Sequence, residues 1–210
     1  LNSEFIIHNS KLAIQPLAGY KEPKPMVFLG LFPIQNEDIN QVREALGKLH
    51  LSDSAFSFKS IHSLALGNGF HCGFLGLLHA EVTQERLLRE FNLSHLATAP
   101  TVEYRVRLKG KGEIFIQSPV EFPDPSTIEV SFEPVMSTTI FAPKQYVGVI
   151  MQLCQDKRGD YIDLQYIGDQ AKFTYLIPLS EMIVNFFDQL KSLTQGYASL
   201  DYEFFDYIEA

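Results

Sequence analysis

The stretch Tyr161–Pro178, YIDLQYIGDQAKFTYLIP, sets the pattern on which the rest of the chain is read. Ile162, Leu164 and Tyr166 alternate with Asp163 and Gln165, so one face of an extended strand is apolar. Gly168-Asp169 turns the chain, and Phe173, Tyr175 and Ile177 repeat the alternation on a second strand. Pro178 suits the first turn of a helix, with Leu179, Ile183, Phe186 and Leu190 on one side. A strand is expected upstream at Val135–Phe141, and then a helix with Pro143 in its first turn and Tyr146, Ile150 and Leu153 on one face. That helix is expected to stop at Asp156-Lys157-Arg158-Gly159, with Gly159 just past its end. After Gly196, Ala198, Leu200, Tyr202 and Phe204 point inward along a last strand. The order is strand, helix, strand, strand, helix, strand.

Residues 26–108 repeat that order with little sequence in common. Met26–Phe32 is a continuous apolar run, as in a central strand. Asn36 can cap a helix whose Ile39, Val42, Leu46 and Leu49 share a face. Ala55–Ile61 and Leu64–Phe70 read as the next two strands, and a helix follows from about Gly73 to Phe91. Thr101–Leu108 alternates strictly and closes the unit. The expected fold is therefore α+β. It comprises two ferredoxin-like split βαβ sandwiches, each a four-stranded antiparallel sheet with two helices on one face, joined by a linker. The expected division is residues 1–24 as a linker or the tail of a preceding domain, 25–108 as the first domain, 109–133 as a Pro-rich charged linker and 134–210 as the second domain. The first and third strands of each unit are expected to be central. One continuous sheet across residues 100–140 would contradict this division.

Of the 210 residues, 46% are apolar and 20% charged, with 17 Phe, 9 Tyr and no Trp, enough to fill two cores. The net charge of −8 lies wholly in residues 109–210; residues 1–108 carry ten basic and ten acidic groups. This balance argues against a broad non-specific nucleic-acid surface, which needs a positive field, and leaves room for a local patch. No apolar run reaches the roughly 20 residues that cross a bilayer. Cys72, just before an expected helix, and Cys154, within one, lie one per half and read as free core thiols of a reducing compartment.

His71, Cys72 and His79 fall short of the four ligands of structural zinc, so no metal is expected. A nucleophilic Cys72 with His71 or His79 has nothing but sequence proximity behind it. Leu66–Gly76 holds Gly67, Gly69, Gly73 and Gly76. Such a stretch leading into a helix can offer backbone N–H groups to phosphate, or can be a tight packing turn; the sequence leaves both open. It lacks the Lys and Ser/Thr of GxxxxGK[ST], which occurs nowhere in the chain. Lys157-Arg158, at a helix end, is the basic dyad of the acidic half. It either complements the helix C-terminus or meets a phosphate.

Several stretches resemble the LepA family of ribosome-associated translational GTPases, the elongation factor 4 type. Lys24-Pro25-Met26-Val27-Phe28 through Pro33 is similar to the opening of that family's third domain. Ala65-Leu66-Gly67-Asn68-Gly69-Phe70-His71-Cys72-Gly73-Phe74-Leu75-Gly76-Leu77-Leu78-His79-Ala80-Glu81 resembles its most distinctive run. Tyr146-Val147-Gly148, Leu153-Cys154-Gln155, Lys157-Arg158-Gly159 and Gly196-Tyr197-Ala198-Ser199-Leu200-Asp201-Tyr202-Glu203 match in the second unit. Asn68 and His71 depart from the family pattern, where an aromatic or glycine and an arginine are usual.

The resemblance implies a non-catalytic piece covering the third and fifth domains, numbered as in elongation factor G. GTP and Mg2+ would belong to a GTPase domain outside this chain, and no cofactor to the chain itself. Implied partners are ribosomal RNA and proteins, tRNA through the parent protein, and the parent's GTPase and C-terminal domains, with the piece itself monomeric. Implied roles are tRNA back-translocation and efficient translation under stress, in the cytoplasm and peripherally at the bacterial inner membrane, or in an organelle. Gly69, His71, Gly73, Lys157, Arg158 and Gly159 are the candidate ribosome or interdomain contacts. Two rival readings are a small cysteine hydrolase using Cys72 and a regulatory module binding a small ligand between its sheets.

Overall fold

A computed structural model describes residues 5–7, 10–12, 23–34 and 38–210. The architecture is α+β, with two multi-stranded antiparallel sheets and associated helices. Near the start, β1 (Phe5–Ile7) pairs with β2 (Ser10–Leu12).

The first large sheet is built around β3 (Val27–Pro33). Helix α1 (Ile39–Ser52) follows, and its N-cap is Asp38, whose carboxylate accepts from Asn40 N at 2.8 Å. The expected cap, Asn36, lies outside the described residues. The next elements are β4 (Ser57–Ser63), β5 (Gly67–Phe74), α2 (Leu77–Phe91), β6 (His95–Ala97) and β7 (Thr101–Val102). Strand order is β4-β5-β3-β6, with β7 also on β3, so the first and third long strands are central as expected. Leu29, Leu31, Phe70, Cys72 and Phe74 on one sheet face close a core with Val42, Leu46 and Leu49 of α1 and Ala80 and Leu87 of α2.

Two expectations fail in this sheet. The third strand lies at 67–74 and the helix begins at Leu77, so Cys72 sits in a strand and not in a helix. The glycines misled the reading, because they look like a turn but serve packing. A Cβ on Gly69 would stand 2.5 Å from the Phe32 ring and 2.7 Å from Leu31 O; one on Gly73 would stand 2.8 Å from the Phe28 ring. These glycines let two phenylalanines lie flat on the face away from the helices.

The second failure is at residues 101–116. After Val102 the chain leaves the first sheet, and β8 (Tyr104–Leu108) pairs with β9 (Gly112–Ile116) and with the long β10 (Ile128–Pro143). One sheet thus contains residues 104–116 and 128–143, so Tyr104–Leu108 does not close the first unit and 109–133 is no plain linker. The alternation of 102–108 holds throughout. It says nothing of which sheet each part joins, and the break falls at Glu103.

Beyond β10 come α3 (Val147–Asp156), β11 (Asp160–Ile167), β12 (Gln170–Pro178), α4 (Leu179–Met182), α5 (Phe186–Leu193) and β13 (Ser199–Glu209). The hairpin expected over Tyr161–Pro178 is present, with Ile167 facing Gln170 across a turn holding Gly168 at φ +58°. Phe132 of β10 faces Arg105 of β8 and Glu209 of β13, and Val135 faces Pro178 of β12 and Asp206 of β13. So β8 and β12 follow one another along one edge of β10, and β13 covers the other. The single helix expected after Pro178 is broken, because Asn185 takes a left-handed φ of +57°. Leu179, Ile183, Phe186 and Leu190 are buried nonetheless. Tyr202 and Phe204, expected inward, are 45% and 44% exposed.

The two sheets share a seam. Val27 and Val102 of the first pack in the core of the second, with Met136, Ile150, Phe173, Met182 and Phe186.

Candidate functional site

The six candidate residues fall into two groups. Gly69, His71 and Gly73 all lie on β5, on the face opposite the helix-side core. That strand is hydrogen-bonded to β3 on one side and β4 on the other. Its backbone N–H groups therefore belong to ladders, and of the two readings left open for this stretch the packing role fits and the phosphate cradle does not. No residue here fits the GTP and Mg2+ of the resembled family, and among the described residues no group of three or more His, Cys, Asp and Glu could hold a metal.

His71 is buried and stacks on Phe28, with ring centroids 5.4 Å apart and planes 6° apart. Burial and the charge of Lys59 hold its pKa below the usual histidine value, opposed by Glu121 and by a hydrogen bond to the Gln117 backbone. Gln117 arrives beside the ring from the segment after β9. The same segment is held twice more. Lys59 Nζ of β4 lies 3.2 Å from Glu121 Oε1, and Thr101 Oγ1 donates to Gln117 O at 3.0 Å. Residues 117–121 are thereby strapped onto the bare face of the first sheet.

Lys157, Arg158 and Gly159 end α3 in a Schellman arrangement. Arg158 N donates to Gln155 O at 3.1 Å and Gly159 N to Cys154 O at 2.8 Å. The left-handed position is Arg158, with φ +54°, and not Gly159 as expected. Gly159 is needed for a different reason: a Cβ there would stand 2.7 Å from Cys154 O.

The Arg158 side chain turns back onto the protein. Its Nη1 and Nη2 bind Glu133 Oε1 and Oε2 at 2.6 and 3.0 Å, and its Nε binds Glu181 Oε1 at 3.0 Å. Ser180 Oγ also reaches Glu133, at 3.1 Å. Glu133 is 4% exposed, so the guanidinium neutralises a buried carboxylate on β10. Tyr104 at the start of β8 lies beside this cluster; burial, then the Glu133 charge, raises its pKa. Lys157 donates to Val184 O at 3.3 Å.

Sequence reasoning missed Glu133, Ser180, Gln117 and Glu121, the partners of the candidate residues. Glu133 carried one signal: a lone acid between Phe132 and Pro134 in a strand whose next residues are apolar.

Cys72 is fully buried, its thiol pushed up by burial, and its Sγ lies 3.9 Å from Phe70 O. His71 points to the other face of the strand. His79 is used elsewhere: its Nδ1 accepts from Leu75 N at 3.2 Å, so Nε2 donates to Asp53 Oδ2 at 2.6 Å and ties the start of α2 to the end of α1. Nothing here activates Cys72 as a nucleophile. The groove between the units, 720 Å3, is walled by Val27, Leu77, Met182, Ile183 and Phe186, so it is an extension of the shared seam.

A two-sheet α+β body, strapped together by its own connecting chain, is what these contacts define. Residues 130–210 match the family model described as elongation factor G C-terminus. The chain is 50% identical over 202 residues to elongation factor 4 of Staphylococcus saprophyticus, covering 96% of this chain and 33% of the relative. Elongation factor 4 of Bacillus cereus strain B4264 is 49% identical over 203 residues, with the same two shares. By this homology the chain belongs to the elongation factor 4 family, and it spans 33% of the length of these curated relatives. A crystal structure of a Thermus thermophilus protein superposes with a TM-score of 0.57 at 18% identity, over 91% of this chain and 42% of that one. That likeness concerns the fold alone.

Proposed function

We propose that this chain is the non-catalytic scaffold of a translational GTPase that works on the ribosome. The observation that carries the reading is 50% identity to elongation factor 4 across 96% of the chain. In this reading the two units are ferredoxin-like split βαβ sandwiches. The strand orders β6-β3-β5-β4 and β13-β10-β12-β11 support it, since each places the first and third strands centrally. They stand for the third and fifth domains of the superfamily, with the boundary between Val102 and Tyr104. GTP hydrolysis, Mg2+ and any tRNA movement belong to the longer protein. Association with the inner membrane is peripheral in this reading, and no helix among the described residues is long and apolar enough to cross a membrane.

The roles of the candidate residues follow from their contacts. His71, with Gly69 and Gly73 beside it, acts as an interdomain contact, while Arg158, with Lys157 and Gly159, braces the second unit for docking. His71 lies against Gln117 of the chain that crosses between the sheets, and Arg158 is held within the second unit by Glu133 of β10 and Glu181 of α4. The test is to incubate the monomeric chain with GTP alone and with ribosomes. The expected result is no turnover in either mixture and weak, salt-sensitive co-sedimentation with ribosomes. GTP turnover that survives repeated purification refutes the scaffold reading.

A further inference from the structure

β13 pairs with β10 alone, so the outer row of its backbone N–H and C=O groups joins no ladder among the described residues. At 11 residues it is long for an edge strand. Asp201, Glu203, Asp206 and Glu209 lie on it with no Lys or Arg. None of the four forms an ion pair with a described residue. Between them stand Tyr202, Phe204 and Phe205, exposed by 45, 44 and 54%. The register shifts between Val135 and Met136, leaving Phe205 as the extra residue of a bulge.

Edge protection explains the carboxylates in part, because charge keeps sheets from joining edge to edge. It does not explain three exposed aromatics. A second copy laid antiparallel on this edge would set carboxylate against carboxylate, and RNA would meet the same repulsion. We propose that this edge takes up an extended basic peptide as an added strand. The backbone of the incoming segment would complete the open hydrogen-bond row. Alternate Lys or Arg side chains would meet Asp201 and Glu203, which share one face. Apolar side chains between them would cover Tyr202 and Phe204 on the other. The carboxylates then select the partner by rejecting acidic strands and nucleic acid as much as by attracting bases. The edge would serve such a partner whether or not the chain acts on the ribosome.

The test uses the whole chain and three labelled octapeptides: alternating Lys-Val, the same peptide N-methylated at alternate residues, and alternating Glu-Val. Binding is read by fluorescence anisotropy and located by hydrogen exchange. The Lys-Val peptide is expected to bind and to slow exchange at residues 199–209. The other two should bind at least about tenfold more weakly. Replacing Asp201→Lys and Glu203→Lys together should cost the Lys-Val peptide about tenfold or more, while exchange in β12 and α3 stays as in the parent, showing an intact fold. The proposal is overturned by equal binding of the N-methylated peptide, by protection elsewhere, by affinity indifferent to the charge reversal in a folded variant, or by no binding.

Discussion

Arg158→Ala is the sharpest perturbation of the buried ion pair at the end of α3. The substitution removes both hydrogen bonds to Glu133 and the contact with Glu181, and it leaves a 4% exposed carboxylate with Ser180 as its side-chain partner. Breaking a fully buried pair from one side costs about 3–5 kcal/mol. The Arg158 side chain is 51% exposed, so solvent screens part of the interaction, and the expected loss is about 2–3 kcal/mol. A backbone effect separates from this. At φ +54° a residue with a Cβ is strained by about 1 kcal/mol, which glycine does not feel. Arg158→Gly should therefore destabilise by about 1 kcal/mol less than Arg158→Ala, although it deletes more atoms. Adding Glu133→Gln to Arg158→Ala should recover part of the loss, because the unpaired charge disappears. Urea unfolding followed by circular dichroism at neutral pH measures all three. A loss below about 0.5 kcal/mol for Arg158→Ala, the range of an ordinary surface substitution, would refute the clamp. Additive effects of the two sites would refute it equally.

Gly69→Val places a branched side chain where a Cβ already stands 2.5 Å from the Phe32 ring, and should cost about 2–3 kcal/mol in urea unfolding. Gly47→Ala, in the interior of α1 with nothing within 4 Å of the new Cβ, should instead stabilise by about 0.5–1 kcal/mol. His71 is depressed in the folded protein relative to its ordinary 6.5, so the unfolded chain takes up its proton first and stability should fall as pH drops from 6.5 toward the folded value. His71→Gln should flatten that part of the pH profile, and an unchanged profile would count against the buried ring's role. Cys72 and Cys154 are both fully buried, with the Cys154 thiol raised to about 12, so a thiol reagent should label them slowly in the native protein and fast in denaturant. Rapid native labelling of Cys72 would contradict its place in the core.

Much of the fold was legible because apolar periodicity marks the long elements directly. The run at 26–32, the alternation at 162–166 and 173–177, and the stripe Val42-Leu46-Leu49 all became strands and a helix of the expected kind. Junctions were harder, for physical reasons. Residues 102–108 alternate as one strand, yet the two ends pair with different sheets, and pairing partners leave no trace in a period of two. The glycines at 69 and 73 looked like a loop because the rings they accommodate sit on another strand, at Phe28 and Phe32. The break at Asn185 is hidden since Leu179, Ile183, Phe186 and Leu190 keep helical spacing across it. Lys157-Arg158 was correctly seen as a basic helix end. Its partner Glu133 lies 25 residues from Arg158, and only the fold brings them to 2.6 Å.

The central claim is that the chain supplies the scaffold of an elongation factor 4 type GTPase. A chimera tests it most directly: the corresponding third of the Bacillus cereus elongation factor 4 is replaced by this chain, and ribosome-stimulated GTP hydrolysis is measured beside the parent. The account predicts stimulated turnover within about tenfold of the parent, a difference of about 1.4 kcal/mol in barrier, with Arg158→Ala in the chimera reducing it further. A folded chimera that hydrolyses GTP without any response to ribosomes would contradict it.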